Sequence, residues 1–261
     1  FELLIRTANS SLGDNCLPVI QECFQYIEVG NYSCNSFCKV ITSILKSDKV
    51  TKAEWVGQII DSLYDIVTPK FESFQSYDLN PKQIDLNIEI IDLICSYIKL
   101  FSHAKNLANE YIEDQTYNRM KQFLAELLSK YFDIPDLVET IIEFLGSVSK
   151  IDFDSMCEDG FIKLAANFLY ADKFDPTQKE WHKVIIKLLS FHQHLLELSE
   201  GRVRPLIEQS LAEFIDDSVG KKADIINSYF SIFEEEQPRD QKARGKEYFV
   251  EFKKVLLSQL G

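Results

Sequence analysis

The chain has 261 residues, of which 46% are hydrophobic and 26% charged, and its formal net charge at neutral pH is −13. These proportions are typical of a folded globular protein and exclude the disordered and fibrous classes. The negative charge repels phosphate backbones, so nucleic acid is not expected as the main partner. Only 9 glycines and 7 prolines occur, which disfavours a turn-rich sandwich or barrel and favours long helices with short connections.

Apolar residues recur at three- and four-residue spacing along the chain, and strict alternation is nowhere sustained. This periodicity predicts amphipathic helices and no strands. Asn80-Pro81 and Asp175-Pro176 each place a cap residue before a proline, and Pro135 opens a helix in the same way. The predicted helices cover residues 2–10, 16–29, 33–46, 52–77, 81–102, 106–132, 135–149, 156–170, 176–199, 203–217, 221–235 and 241–260.

Two of these helices contain signs of interruption. Pro69 lies inside the segment 52–77, where it removes a backbone donor and crowds the preceding turn. We therefore expect that helix to kink or split at the proline. The segment 106–132 contains the polar run from residue 113 to residue 116, where a second break is expected.

Membrane and compartment signals are also informative. The sequence contains no apolar run of the about 18 residues that a membrane helix needs, so no membrane insertion is expected. Its six cysteines are scattered through helical patterns, as free buried thiols of intracellular proteins are. These features predict a protein of the cytoplasm or nucleus. Because the chain begins at Phe1 and not at methionine, we expect it to be a fragment or domain of a longer protein.

Successive predicted helices start about 20 to 25 residues apart, which gives helix pairs of about 45 residues, a period typical of helical repeats. In period and pattern the chain resembles HEAT and armadillo-type repeat proteins, and its mixed helix lengths and acidic charge are similar to those of the karyopherin transport receptors. The resemblance implies an all-α fold in which irregular antiparallel helix pairs stack as one α-solenoid over residues 1–261. A compact multi-helix bundle is the alternative.

Two pairs of potential metal ligands stand out in the sequence. His192 and His194 are separated by about 200° around a helix, so they face nearly opposite ways and do not share a metal. Cys34 and Cys38 have i, i+4 spacing and lie on one helical face, but two thiolates are half of a zinc site. We interpret both pairs as packing residues and expect no metal and no cofactor.

A row of polar residues offers an enzymatic alternative. Asn227, Ser231 and Glu235 match the i, i+4, i+8 spacing of the second metal motif of terpene synthases, all-α enzymes with an internal apolar pocket. The first motif of that family should lie far upstream, whereas Asp216-Asp217 is only a few residues away. The resemblance to that family is therefore incomplete.

A change in the sign of the charge near the carboxyl end suggests a binding surface. Three consecutive glutamates end a predicted helix, and a basic stretch follows them. Such a segment binds a partner of opposite charge or pairs internally. The candidate partner-binding residues are Glu234, Glu235, Glu236, Arg239, Lys242, Arg244 and Lys246.

No catalytic motif accompanies these patterns, and the predicted function is therefore non-enzymatic. We expect a protein-interaction module of the scaffold, adaptor or transport-receptor kind, which binds another protein through a basic segment of that partner. An all-α enzyme with an internal apolar pocket and a helical bundle that binds a small ligand remain alternatives.

Overall fold

A computed structural model describes most of the chain. The described ranges are 34–46, 56–72, 81–107, 112–158, 160–216, 221–235 and 237–259. Within these ranges the protein is all-helical and has no strand, which confirms the predicted all-α class. The helices predicted at 2–10 and 16–29 lie outside the described residues. The chain divides into two compact units, 1–121 and 122–261.

Four helices begin among the described residues of the first unit. They are α1 (Cys34–Leu45), α2 (Val56–Glu72), α3 (Pro81–Leu107) and α4 (Asp114–Lys130), which continues beyond the unit. Both α1 and α2 pack against α3. Tyr97 of α3 is fully buried there, and its hydroxyl donates a hydrogen bond of 3.2 Å to the carbonyl of Ile60. The core of this unit therefore lies along α3.

The expected interruptions differ in their outcome. Helix α2 continues through Pro69 and ends three residues later at Glu72, so the proline does not split the helix. The predicted break near residues 113–116 is confirmed, because α3 ends at Leu107 and α4 begins at Asp114.

The second unit contains seven α-helices and two 3₁₀ turns among its described residues. The α-helices are α5 (Pro135–Val148), α6 (Phe153–Glu158), α7 (Phe161–Ala165), α8 (Lys179–Leu198), α9 (Arg204–Ala212), α10 (Lys222–Phe230) and α11 (Pro238–Ser258). The 3₁₀ turns cover Asn167–Tyr170 and Ser231–Glu234.

The prediction of one helix over 156–170 is wrong. Gly160 adopts a φ of 72°, in the left-handed region, and separates α6 from α7. A right-handed helix does not continue through a residue in this conformation, which glycine adopts without steric cost. The chain then tightens into the 3₁₀ turn after Ala166, so three short segments replace the predicted long helix.

Helix α8 is central to the second unit and packs against α5 and α11. Gly146 of α5 lies over Phe191, where an added Cβ would be 3.9 Å from the nearest Phe191 atom, an ordinary contact. Gly245 of α11 lies over Leu189, where an added Cβ would overlap Cδ1 of the leucine. Helix α11 therefore approaches α8 closely at residue 245, and a larger side chain there requires the buried Leu189 side chain to move.

Candidate functional site

A surface cleft lies between α10 and α11 in the second unit. Its volume is about 320 Å³. Helix α10 ends at Phe230, the 3₁₀ turn carries the chain on to Glu234, and α11 then begins at Pro238. The chain thus turns back on itself within a few residues. Helix α10 and the 3₁₀ turn form one wall of the cleft, and α11 forms the other. The lining residues are Ile225, Ser228, Ser231, Ile232, Arg244, Glu247, Tyr248, Glu251, Phe252 and Val255.

The lining residues of α11 recur every three or four positions, from Arg244 to Val255. They therefore share one face of the helix. Ile225, Ile232, Phe252 and Val255 make the cleft largely apolar, and Ser228, Ser231, Arg244, Glu247 and Glu251 are its hydrogen-bonding and charged residues. A combination of apolar, charged and hydrogen-bonding side chains is typical of a protein-binding surface.

The structure brings together only some of the residues predicted to bind a partner. The Arg244 guanidinium donates to the Glu235 carboxylate and, at 3.4 Å, to the Ser231 carbonyl. Glu234 is exposed on the 3₁₀ turn, and Glu236 lies outside the described residues. The acidic run and the basic segment therefore pair with each other at Glu235 and Arg244, one of the two outcomes that the sequence left open.

The other predicted basic residues do not line the cleft. Arg239 and Lys242 are exposed near the start of α11. Lys246 is two residues from Arg244 and thus about 200° around the helix. Burial and the charge of Lys246 lower the pKa of His182 in α8, which places Lys246 on the side of α11 that faces α8.

Apart from Arg244, charge counting along the sequence missed the residues that line the cleft on α11. Glu247 and Glu251 are exposed, and Val255 is half-buried. Their i, i+4, i+8 spacing was the available signal, because it places them on one face of a helix. Periodicity could not predict that α10 and the 3₁₀ turn form the opposite wall of the cleft.

An aromatic cluster lies behind the cleft. Tyr229 contacts the rings of Phe230, Phe233, Tyr248 and Phe249, with centroid distances between 5.2 and 6.1 Å. Tyr248 belongs to both the cluster and the cleft wall. The wall is therefore backed by packed side chains, which hold its shape.

His192 is fully buried against this cluster. Its Nδ1 and the Tyr229 hydroxyl share a hydrogen bond of 2.6 Å, and its Nε2 has no hydrogen-bond partner among the described residues. Burial lowers the pKa of His192 to about 3, so the ring is neutral at physiological pH. His194 is only partly buried. The two histidines thus occupy different environments, as their helical spacing predicted, and His192 has a structural contact with Tyr229.

We expect Tyr229→Phe to lower the free energy of unfolding by about 1 to 2 kcal/mol, because it removes the hydrogen bond and leaves a buried His192 nitrogen unpaired. Tyr248→Phe is the matched control, since the buried Tyr248 hydroxyl has no hydrogen-bond partner among the described residues. Its removal is expected to leave stability unchanged or to raise it by up to about 1 kcal/mol. Urea unfolding measures the free energy of unfolding of both variants. Equal losses of stability in the two variants would contradict the prediction.

The described residues contain no group of three or more His, Cys, Asp or Glu side chains placed to hold a metal ion. Cys34 and Cys38 are both buried in α1, where contact with the Cys34 thiol and burial raise the pKa of Cys38. Buried thiols with raised pKa values are poor nucleophiles and poor metal ligands. Cys16 and Cys23, their nearest companions in sequence, lie outside the described residues.

The row of Asn227, Ser231 and Glu235 is not carried by one α-helix. Helix α10 ends at Phe230, Ser231 begins the 3₁₀ turn, and Glu235 follows that turn. The Glu235 carboxylate also contacts Arg244. The regular spacing that would align three magnesium ligands is therefore lost after the first of them.

Comparison of the chain with protein-family models, with curated proteins and with solved structures found no match. Within the residues that the structure describes, none of the helices combines the length and the apolar character that crossing a bilayer requires.

Proposed function

We propose that the chain is a non-enzymatic protein-interaction module and that a segment of a partner protein binds in the cleft between α10 and α11. The proposal rests on one observation: an open cleft of about 320 Å³ that combines apolar side chains with charged residues. Apolar anchors provide most of the affinity of such surfaces, and the surrounding polar groups provide orientation. A scaffold, an adaptor or a transport-receptor-like protein of the cytoplasm or nucleus needs a surface of this kind.

The stacking of helix pairs as an α-solenoid is part of this proposal. The all-helical content and the frequent short connections are compatible with helix pairs that stack sideways. A solenoid offers an extended surface to other proteins, which suits an interaction module.

The test compares two charge insertions on the same helix. Val255→Glu places a carboxylate in the cleft, while Leu257→Glu adds the same charge at a side chain that is 55% exposed and does not line the cleft. We expect proteins that the wild type and Leu257→Glu retain from a cell extract to be lost with Val255→Glu, because burying a charge against apolar anchors is unfavourable. Retention of the same proteins by Val255→Glu would contradict the proposal. Equal helical content of the two variants is the control for folding.

Binding of a small ligand is the second candidate function. The volume of the cleft is at the lower end of the about 300 to 1,000 Å³ that small-molecule sites occupy. A small ligand would remain with the purified protein as an added mass, which native mass spectrometry detects. An added mass on the wild type and Leu257→Glu, absent from Val255→Glu, would favour this function over protein binding.

A further inference from the structure

The length of the cleft suits a helical occupant. The lining residues of α11 extend from Arg244 to Val255, which is about 16 Å along a helix that rises about 1.5 Å per residue. On the opposite wall they extend from Ile225 to Ile232, about 10 Å by the same measure. Two to three turns of a partner helix fit along such a groove. Their apolar residues at i, i+3 or i+4, and i+7 would meet the apolar side chains of the cleft.

The charge at the cleft is negative once the internal pairs are taken into account. Arg244, the one cation among the described residues that line the cleft, contacts the Glu235 carboxylate. Glu247 forms no ion pair with another described residue. Glu251 pairs with Lys254 at 2.5 Å, but the side chains of Lys254 and Glu251 are 65% and 69% exposed, against 49% and 32% for Arg244 and Glu235. Solvent therefore weakens the Glu251–Lys254 pair more, which leaves Glu251 more available to a partner.

We propose that the cleft binds a basic amphipathic helix of a partner protein, an inference that rests on the proposed function of the cleft. Apolar side chains on one face of that helix contact Ile225 and Val255, the half-buried apolar residues of the lining. Lysine or arginine side chains at its flank pair with Glu247 and Glu251. The net charge of −13 attracts a basic segment to the chain at long range, and Glu247 and Glu251 supply the attraction at the cleft itself.

Fluorescence anisotropy with the full chain and three labelled synthetic peptides tests the chemistry of the occupant. The first peptide is an amphipathic helix of leucine and lysine. The second has the same composition in an order without an apolar face, and the third is an amphipathic helix of leucine and glutamate. We expect the first peptide to bind at least about tenfold more tightly than either of the others, because only it matches both the apolar side chains of the cleft and the carboxylates of Glu247 and Glu251.

Three variants test whether this binding occurs in the cleft. Glu247→Lys reverses a charge at the cleft and is expected to lower the affinity for the leucine-lysine peptide about fivefold. Glu197→Lys, in the last turn of α8 and outside the cleft, makes the same change in net charge and should alter the affinity less than about twofold. Val255→Glu should weaken binding at least about tenfold, since it puts a charge among the apolar anchors. Thermal unfolding of each variant confirms that it is folded.

The outcomes separate this inference from the proposed function. One outcome is that Val255→Glu weakens binding of the leucine-lysine peptide while Glu247→Lys and Glu197→Lys change its affinity equally. Another is that the leucine-glutamate peptide binds as tightly as the leucine-lysine peptide. In either case the cleft binds helices without selecting basic ones. The inference then fails and the proposed function stands. Binding that Val255→Glu leaves unchanged, or no binding of any peptide, also overturns the inference. The comparison of Val255→Glu with Leu257→Glu in extract decides the proposed function independently.

Discussion

Lowering the pH from 7 to 5 is expected to reduce the free energy of unfolding by about 2 kcal/mol through His192 alone. The pKa of this histidine falls from an ordinary value of 6.5 to about 3 in the folded protein, because the fully buried ring does not accept a charge. Below pH 6.5 the unfolded chain therefore binds a proton that the folded chain does not. The contribution of the neutral His192 ring to the free energy of unfolding is fully present above pH 6.5. It decreases by about 1.4 kcal/mol per pH unit as the pH falls towards 3.

Urea unfolding between pH 4 and pH 7 measures this dependence. His192→Asn is neutral throughout the range and is expected to reduce the slope of stability against pH by about 1.4 kcal/mol per unit between pH 6 and pH 4. His194→Asn is the matched control: burial and the nearby Lys150 lower the pKa of His194, but its ring is only partly buried, so we expect a smaller change in slope. An NMR titration of the wild type adds a direct readout. A His192 ring that titrates near pH 6.5 in the folded protein would contradict the prediction.

Local signals in the sequence predicted much of the helical framework. Pro135 opens α5 as expected, because a proline at the first helical position loses no hydrogen bond. The opposite orientations of His192 and His194 follow from helical geometry alone. Gly160 was missed, although glycine permits the left-handed conformation that ends a helix, because the apolar periodicity on either side of it is continuous.

The candidate site depends on contacts between residues that are far apart in the sequence, and these were not predictable from periodicity. Counting charges drew attention to the glutamate run and the basic segment, whereas the cleft is formed by one face of α11 and its packing partner. The Arg244–Glu235 pair shows the difficulty, since both residues were named as parts of a partner-binding surface and they contact each other. The partner of a charged side chain depends on tertiary structure, which composition does not report.

The close approach of α11 to α8 predicts a large difference between two glycine substitutions. Gly245→Ala is expected to lower the free energy of unfolding by about 2 kcal/mol, because the added methyl group overlaps Leu189 and forces a packed core to move. Gly146→Ala is the matched control, since its methyl group meets Phe191 at an ordinary contact distance. There the higher helix propensity of alanine should leave stability unchanged or raise it by up to about 1 kcal/mol.

A double-mutant cycle with Leu189→Ala identifies the cause of the loss. Leu189→Ala alone should cost about 2 to 4 kcal/mol, because it removes a buried side chain and leaves a cavity beside residue 245. The methyl group of Gly245→Ala fits into that cavity, so adding it to Leu189→Ala should cost little, which gives a coupling of about 2 kcal/mol. Additive losses would show that the methyl group does not act through Leu189.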